Sequence, residues 1–215
     1  MWKGDIQGFM SLLFFDAEFT GLRKNTTLIS LGIVADNEKK FYAEFTDYDE
    51  SQCDEWIKEN VIKHLYLNDI KDNNERIVAS NNHTGKKSWL QEVENATFVL
   101  GESWFIAQYL RMWLFQFDSI QFVSDVCHYD FVLLIDLLTG GKTALDLPDN
   151  ISAVCHDINS DIARHYGISE REAFDKSREE IVSELCGNEI EGAKHNALYD
   201  AEVIKAIWEE INAGL

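Results

Sequence analysis

The sequence predicts an α/β domain built on a mixed β-sheet, and three observations carry that reading. Strand-length apolar runs come early and close together, as in a meander. Helical and strand patterns then alternate along the rest of the chain. One proline and 12 glycines in 215 residues leave no Pro-rich linker and no long set of sandwich loops. The elements follow in order. Leu12–Phe15, Leu28–Ala35 and Lys40–Phe45 read as strands, with Asp36-Asn37-Glu38 as the hairpin turn between the last two. Asp54 to Leu67 places Trp56, Ile57, Val61, Ile62 and Leu65 at helical spacing. Lys71 to Ser88, polar and rich in asparagine, reads as a loop with little structure. Ser103 caps an apolar helix to about Phe117; Ser119–Val123 is a strand, and His128 or Tyr129 to Leu138 a buried helix. Ser160–Tyr166 is a short helix. Ser169 and Glu172 form a capping box that opens a helix to about Leu185, and the last helix spans about Ala197–Asn212.

Composition bounds the rest. An apolar content of 46% with 13 Phe, 6 Trp and 7 Tyr supplies one real core, so a single domain over residues 1–215 is expected and disorder is not. No apolar run approaches the length of a membrane span, and Met1-Trp2-Lys3-Gly4-Asp5 lacks a signal-peptide hydrophobic region, so no membrane role is expected. Four separated cysteines without Cys-x-x-Cys suit a reduced, cytoplasmic setting. Zinc held by the doublets Cys127-His128 and Cys155-His156 is disfavoured, because neighbours on a strand point to opposite faces. The net charge of −19 counts against sequence-independent binding to long nucleic acid, but not against an enzyme that holds a few nucleotides at a metal centre.

Asp16 and Glu18 stand at i and i+2 where the first apolar strand ends, so both carboxylates face one side. Paired like charges there are costly unless a hard divalent cation such as Mg²⁺ or Mn²⁺ relieves them. The plain alternative is a solvated strand end. Asp130, flanked by Phe131, Val132, Leu133 and Leu134, needs a partner if it is buried; Asp125 competes for the same role, and either could serve as a helix-end acid. In Gly192-Ala193-Lys194-His195-Asn196-Ala197-Leu198-Tyr199-Asp200-Ala201, His195 precedes a helix and Asp200 lies on its first turns, a base and a ligand in waiting.

Taken together, Asp-x-Glu, an Asp after an apolar strand, and His-x-Ala-x-x-Asp resemble the DEDDh class of 3′→5′ exonucleases, whose fold is ribonuclease-H-like. The segment Phe15-Asp16-Ala17-Glu18-Phe19-Thr20-Gly21-Leu22 is similar to the branches that trim RNA, and Tyr129-Asp130-x-Val132 to small bacterial exoribonucleases. The middle motif departs from the common form, which has His-Asn where Asp125 and Val126 stand. The resemblance implies that Asp16, Glu18, Asp130 and Asp200 hold two Mg²⁺ or Mn²⁺ ions about 4 Å apart. One ion would activate a water that His195 deprotonates, the other would stabilise the departing 3′ oxygen, and a nucleoside 5′-monophosphate would leave. It also implies contacts to the terminal nucleotide from Phe19, Thr20, Gly21 and Leu22. Single-stranded RNA or short oligonucleotide 3′ ends are then the expected partners, with a homodimer left open. Three other readings stand beside this one: a DNA 3′→5′ exonuclease, a structural or regulatory protein whose acidic surface mimics DNA, and a non-catalytic module that binds nucleic-acid ends. Such a module should lack one of the five site residues, and all five are present.

Overall fold

Period-2 alternation of apolar side chains builds a sheet that buries both faces. The computed structural model describes residues 10–67, 77–80, 87–187 and 190–213. Among these, the strands are β1 (Met10–Phe19), β2 (Leu28–Ala35), β3 (Lys40–Phe45), β4 (Ile77–Ser80), β5 (Lys87–Val93), β6 (Ala96–Gly101), β7 (Ser119–Ser124) and β8 (His156–Asp157). The helices are α1 (Glu55–Asn60), α2 (Ser103–Leu114), α3 (Cys127–Thr139), α4 (Asn159–Tyr166), α5 (Glu170–Asp175), α6 (Arg178–Cys186) and α7 (Ala197–Asn212). One mixed sheet takes the order β4-β5-β6-β3-β2-β1-β7-β8. In it β1 lies between antiparallel β2 and parallel β7.

From β1, Leu13, Phe15 and Ala17 enter the layer that Phe105, Ile106 and Leu110 of α2 and Phe131 and Leu134 of α3 complete. Phe14 faces the other way, into a cluster with Ile162 of α4, Ile181 of α6 and Ile204 of α7. Asp16 and Glu18 share the parity of Phe14 and therefore lie on the α7 side.

The expected order of elements holds, with five differences. The first helix stops at Asn60 instead of reaching Leu67: the Asn60 side-chain amide donates to Trp56 O (2.8 Å), Val61 caps the helix through Ile57 O, and only a 3₁₀ turn follows over Ile62–His64 before Leu65 turns extended. The Lys71–Ser88 loop is interrupted by β4 and the start of β5; residues 71–76 and 81–86 lie outside the described set, as do Met1 to Phe9. Ser103 is the first residue of α2 and not its cap. Its N–H and Oγ–H both donate to the Asp47 carboxylate, at 2.9 and 3.0 Å. The helix opened by the Ser169–Glu172 box ends at Asp175, because Ser177 caps a second one through Glu180 N. Finally, β8 and the β5–β6 hairpin were not expected; the hairpin turns on Glu94, with φ 45°, and Asn95.

One close approach sets the distance between sheet and helix. A Cβ added at Gly32 of β2 would lie 2.3 Å from the Ala197 carbonyl and from Leu198 N, so α7 begins directly on the strand backbone. Gly32 pairs with Asp16 across the sheet. Gly32→Ala should cost about 1–3 kcal/mol, because backbone must move to admit the methyl group. Chemical denaturation measures this, and unchanged stability would show that α7 can shift freely.

Candidate metal centre

Three elements bring acids to the C-terminal end of β1. The strand itself carries Asp16 and Glu18 within its last four residues. The first turn of α3 supplies Asp130, 1% exposed, whose Oδ2 accepts from Ser124 Oγ (2.8 Å), while Ser124 Oγ accepts from Val126 N (3.0 Å). The first turn of α7 supplies Asp200. Asn196 caps that helix: its Oδ1 accepts from Leu198 N and Tyr199 N, and its Nδ2 donates to Tyr42 Oη (3.2 Å) and His64 O (3.0 Å). His195 stands just before the cap with φ 65°, its N–H donating to Asp200 Oδ2 (2.9 Å).

Two sets of ligand atoms result. Glu18, His195 and Asp200 each place one within 4.8 Å of the others, and so do Asp16, Asp125 and Asp130. The two sets adjoin, because the charges of Glu18, Asp125, Asp130 and Asp200 all act on Asp16. Asp125 is also held by Arg178, with Nε 2.8 Å from its Oδ2.

Burial and mutual repulsion govern the protonation of this cluster. Asp16 is raised well above the ordinary carboxyl value by burial first, then by the charges of Asp130, Asp200, Glu18 and Asp125. Burial likewise raises Asp130 well above its ordinary value, against the Ser124 hydrogen bond, and raises Glu18 against the lowering effect of His195. Asp200 is pushed up to about 8 by burial and by Glu18. The Glu18 carboxylate, with Oε1 3.5 Å from His195 Nδ1, raises the imidazole above its usual value.

The chain is similar in structure to a 3′-exonuclease solved in 3′-end-specific recognition of histone mRNA stem-loop. The TM-score is 0.57 at 12% identity, over 95% of this chain and 64% of that one. It is also similar to Pop2p of S. pombe in its Mg²⁺- and Mn²⁺-bound form, with a TM-score of 0.52 at 17% identity, over 94% of this chain and 83% of that one. The chain thus spans less than two thirds of the first of these. The chain shares with them the ribonuclease-H-like mixed α/β fold. No family model and no curated protein sequence matches the chain.

Within this ribonuclease-H-like fold the donor set fits hard divalent cations. Carboxylate oxygens predominate, and Asp16 Oδ2 is buried with no hydrogen-bond partner, a cost that a cation removes. The residues expected to meet substrate divide. Thr20 is fully buried, its hydroxyl donating to Gln52 Oε1 (2.7 Å) and accepting from Thr27 N (3.0 Å) and its own N–H donating to Thr27 O (3.0 Å), so it holds the turn and presents no face to solvent. Phe19 stacks on Tyr129, with centroids 5.5 Å apart. Gly21 takes φ 135°, and Leu22 is 75% exposed beside it. Trp56, counted from its spacing among the apolar positions of a helix, is instead 54% exposed and set edge-on to the His195 ring at 5.0 Å. Helical periodicity cannot separate such a ring from a core residue. The Cys-His doublets bring Cys127 Sγ within 3.1 Å of Cys155 Sγ, but His156 turns to Asp161 and His128 packs on Tyr129 and Phe174.

Raised carboxyls fix the sign of the pH dependence. Between its ordinary value of 3.8 and about 8, Asp200 binds more protons folded than unfolded, so metal-free stability falls as pH rises through that window. His195, raised as well, loses its contribution in the same direction. Chelator-treated protein should therefore melt lower at about pH 8.5 than at about pH 6, and Asp16→Asn should raise its Tm at the higher pH by several degrees. Differential scanning calorimetry decides this; an unchanged or lower Tm for the variant would mean the carboxylates do not strain the fold.

Proposed function

We propose that residues 1–215 form a single-domain, metal-dependent 3′→5′ exonuclease of DEDDh type that acts on RNA and releases nucleoside 5′-monophosphates. The observation that carries this reading is the convergence of Asp16, Glu18, Asp130 and Asp200 with His195 at one strand end, one buried carboxylate oxygen being left without a partner. The RNA 3′ end engaged by the structurally similar 3′-exonuclease and the Mg²⁺ and Mn²⁺ of Pop2p support the substrate and cation classes.

Asp16, Glu18, Asp130 and Asp200 would hold two Mg²⁺ or Mn²⁺ ions. Bound divalent ions supply Lewis-acid activation of water and neutralise charge that builds on the phosphate and the departing oxygen. His195, anchored through its own N–H to Asp200, accepts the proton of the attacking water at an imidazole nitrogen. The water oxygen bonds to the terminal phosphorus as the bond from phosphorus to the 3′ oxygen breaks. Backbone at Gly21, held by the buried Thr20 beside it, borders the terminal sugar. Leu22 and Trp56 offer exposed faces on which bases pack without regard to sequence, and Phe19, stacked on Tyr129, stands against the last base. Short single-stranded 3′ ends suit a protein with a net charge of −19, whose site rather than its surface draws the phosphates. Four cysteines, all in the free thiol form, fit a cytoplasmic setting, and a homodimer is compatible with this reading.

Matched 5′-labelled RNA and DNA oligomers with Mg²⁺ or Mn²⁺ test the proposal. A one-nucleotide ladder, stronger on RNA, is expected; stronger cleavage of DNA would move the substrate class. His195→Ala should lower kcat by about 10²–10⁴-fold while calorimetric Mn²⁺ binding persists. Loss of Mn²⁺ binding in that variant would make His195 a ligand instead of a base.

Asp130 and Asp125 separate in the same assay. Asp130 is fully buried on Ser124, whereas Asp125 already has a cation in Arg178. Asp130→Asn should abolish turnover and Asp125→Asn should keep a substantial share. The reverse would exchange their roles.

A further inference from the structure

Five carboxylates, and not four, converge at the end of β1, because Asp125 places an oxygen within 4.8 Å of ligand atoms of Asp16 and Asp130. The fifth has a dedicated cation. Arg178 Nε bonds Asp125 Oδ2 at 2.8 Å, with the two side chains 13% and 16% exposed. The pair is braced from behind: Arg178 Nη2 donates to Asn159 Oδ1 (2.6 Å), and Asn159 Nδ2 donates to Asp125 O (2.8 Å). Arg178 is the first residue of α6, the helix end where the dipole disfavours a cation, so the helix does not account for its charge. It also donates through Nη1 to Ala173 O and Lys176 O, which is the competing, purely structural explanation.

We infer that Arg178 is a charge-balancing, positioning residue that withholds Asp125 from the metal centre, so that four carboxylates face two divalent cations. This rests on the metal-dependent reading above. Five acids and one guanidinium sum to −4, which two divalent ions cancel; without Arg178 the loaded site would stay at −1 and repel the scissile phosphate. The role belongs to this chain's departure from the common middle motif, since Asp125 and Val126 stand where the resemblance leads one to expect His-Asn.

A double-variant cycle separates charge balance from helix bracing. Arg178→Gln should raise KM for an RNA oligomer roughly tenfold or more, change kcat less, and lower the Tm of chelator-treated protein. Adding Asp125→Asn to that variant should restore both KM and Tm most of the way. Arg178→Lys, which keeps the charge and loses the fork, should hold KM near the wild-type value. If Arg178 only braces the carbonyls of Ala173 and Lys176, Asp125→Asn rescues neither quantity, and that result overturns the inference. The Tm measurement needs no turnover. A wild-type protein without metal-dependent hydrolysis would therefore sink the exonuclease reading, while rescue of Tm would still report the charge pairing.

Discussion

Like charges crowded on the α7 side of one strand are the constraint around which the rest of the structure is arranged. Asp16 and Glu18 of β1 cannot turn away from each other, since period 2 fixes them on one face, and Asp130 and Asp200 are brought in from two helices. Mutual repulsion should push such a cluster apart. It stays together because each acid is fixed by a rigid element whose hydrophobic side is buried elsewhere. Phe14 beside the acids packs on Trp208 of α7, and Phe15 and Phe131 meet on the far face of the sheet. The cluster is thus an electrostatic cost carried by two apolar layers.

The approach of α7 is what turns that cost into a site. At Gly32 the helix backbone rests on the strand backbone, with no side chain between them to vary in length or rotamer. Asn196 then fixes the helix end along the sheet through Tyr42 Oη and His64 O. Those two contacts set where Asp200 and His195 stand relative to Asp16 and Glu18. At the other side, Ser124 spans the β7–α3 turn and orients Asp130 with the same hydroxyl that receives Val126 N. Backbone approach and side-chain caps, not packing alone, give the carboxylates their spacing.

Much of this was legible in the sequence because it is local. The parity of Asp16 and Glu18, the loop His195 and the first-turn Asp200 each follow from periods and caps that span a few residues. What was not legible depends on distant segments. Arg178 reaches Asp125 from 53 positions away, and nothing in the acidic run around it marks that purpose. Trp56 has the spacing of a core residue but stands exposed against His195. In β5, Trp89-Leu90 breaks the alternation that would have announced a strand, and the pairing with β6 supplies what the pattern lacks. The length given to the first helix failed for a local reason, since the Asn60 side chain takes a backbone carbonyl near its end.

His195 occupies the left-handed region, at φ 65°, where a residue other than glycine is held at a cost of about 1–3 kcal/mol. Glycine would relieve that strain and discard the imidazole. Selection for folding alone therefore pulls this position away from histidine, and a library screened only for expression or heat resistance would drift toward proteins that fold better and have lost the ring. The ring at position 195 is a feature that only a screen for chemistry would keep.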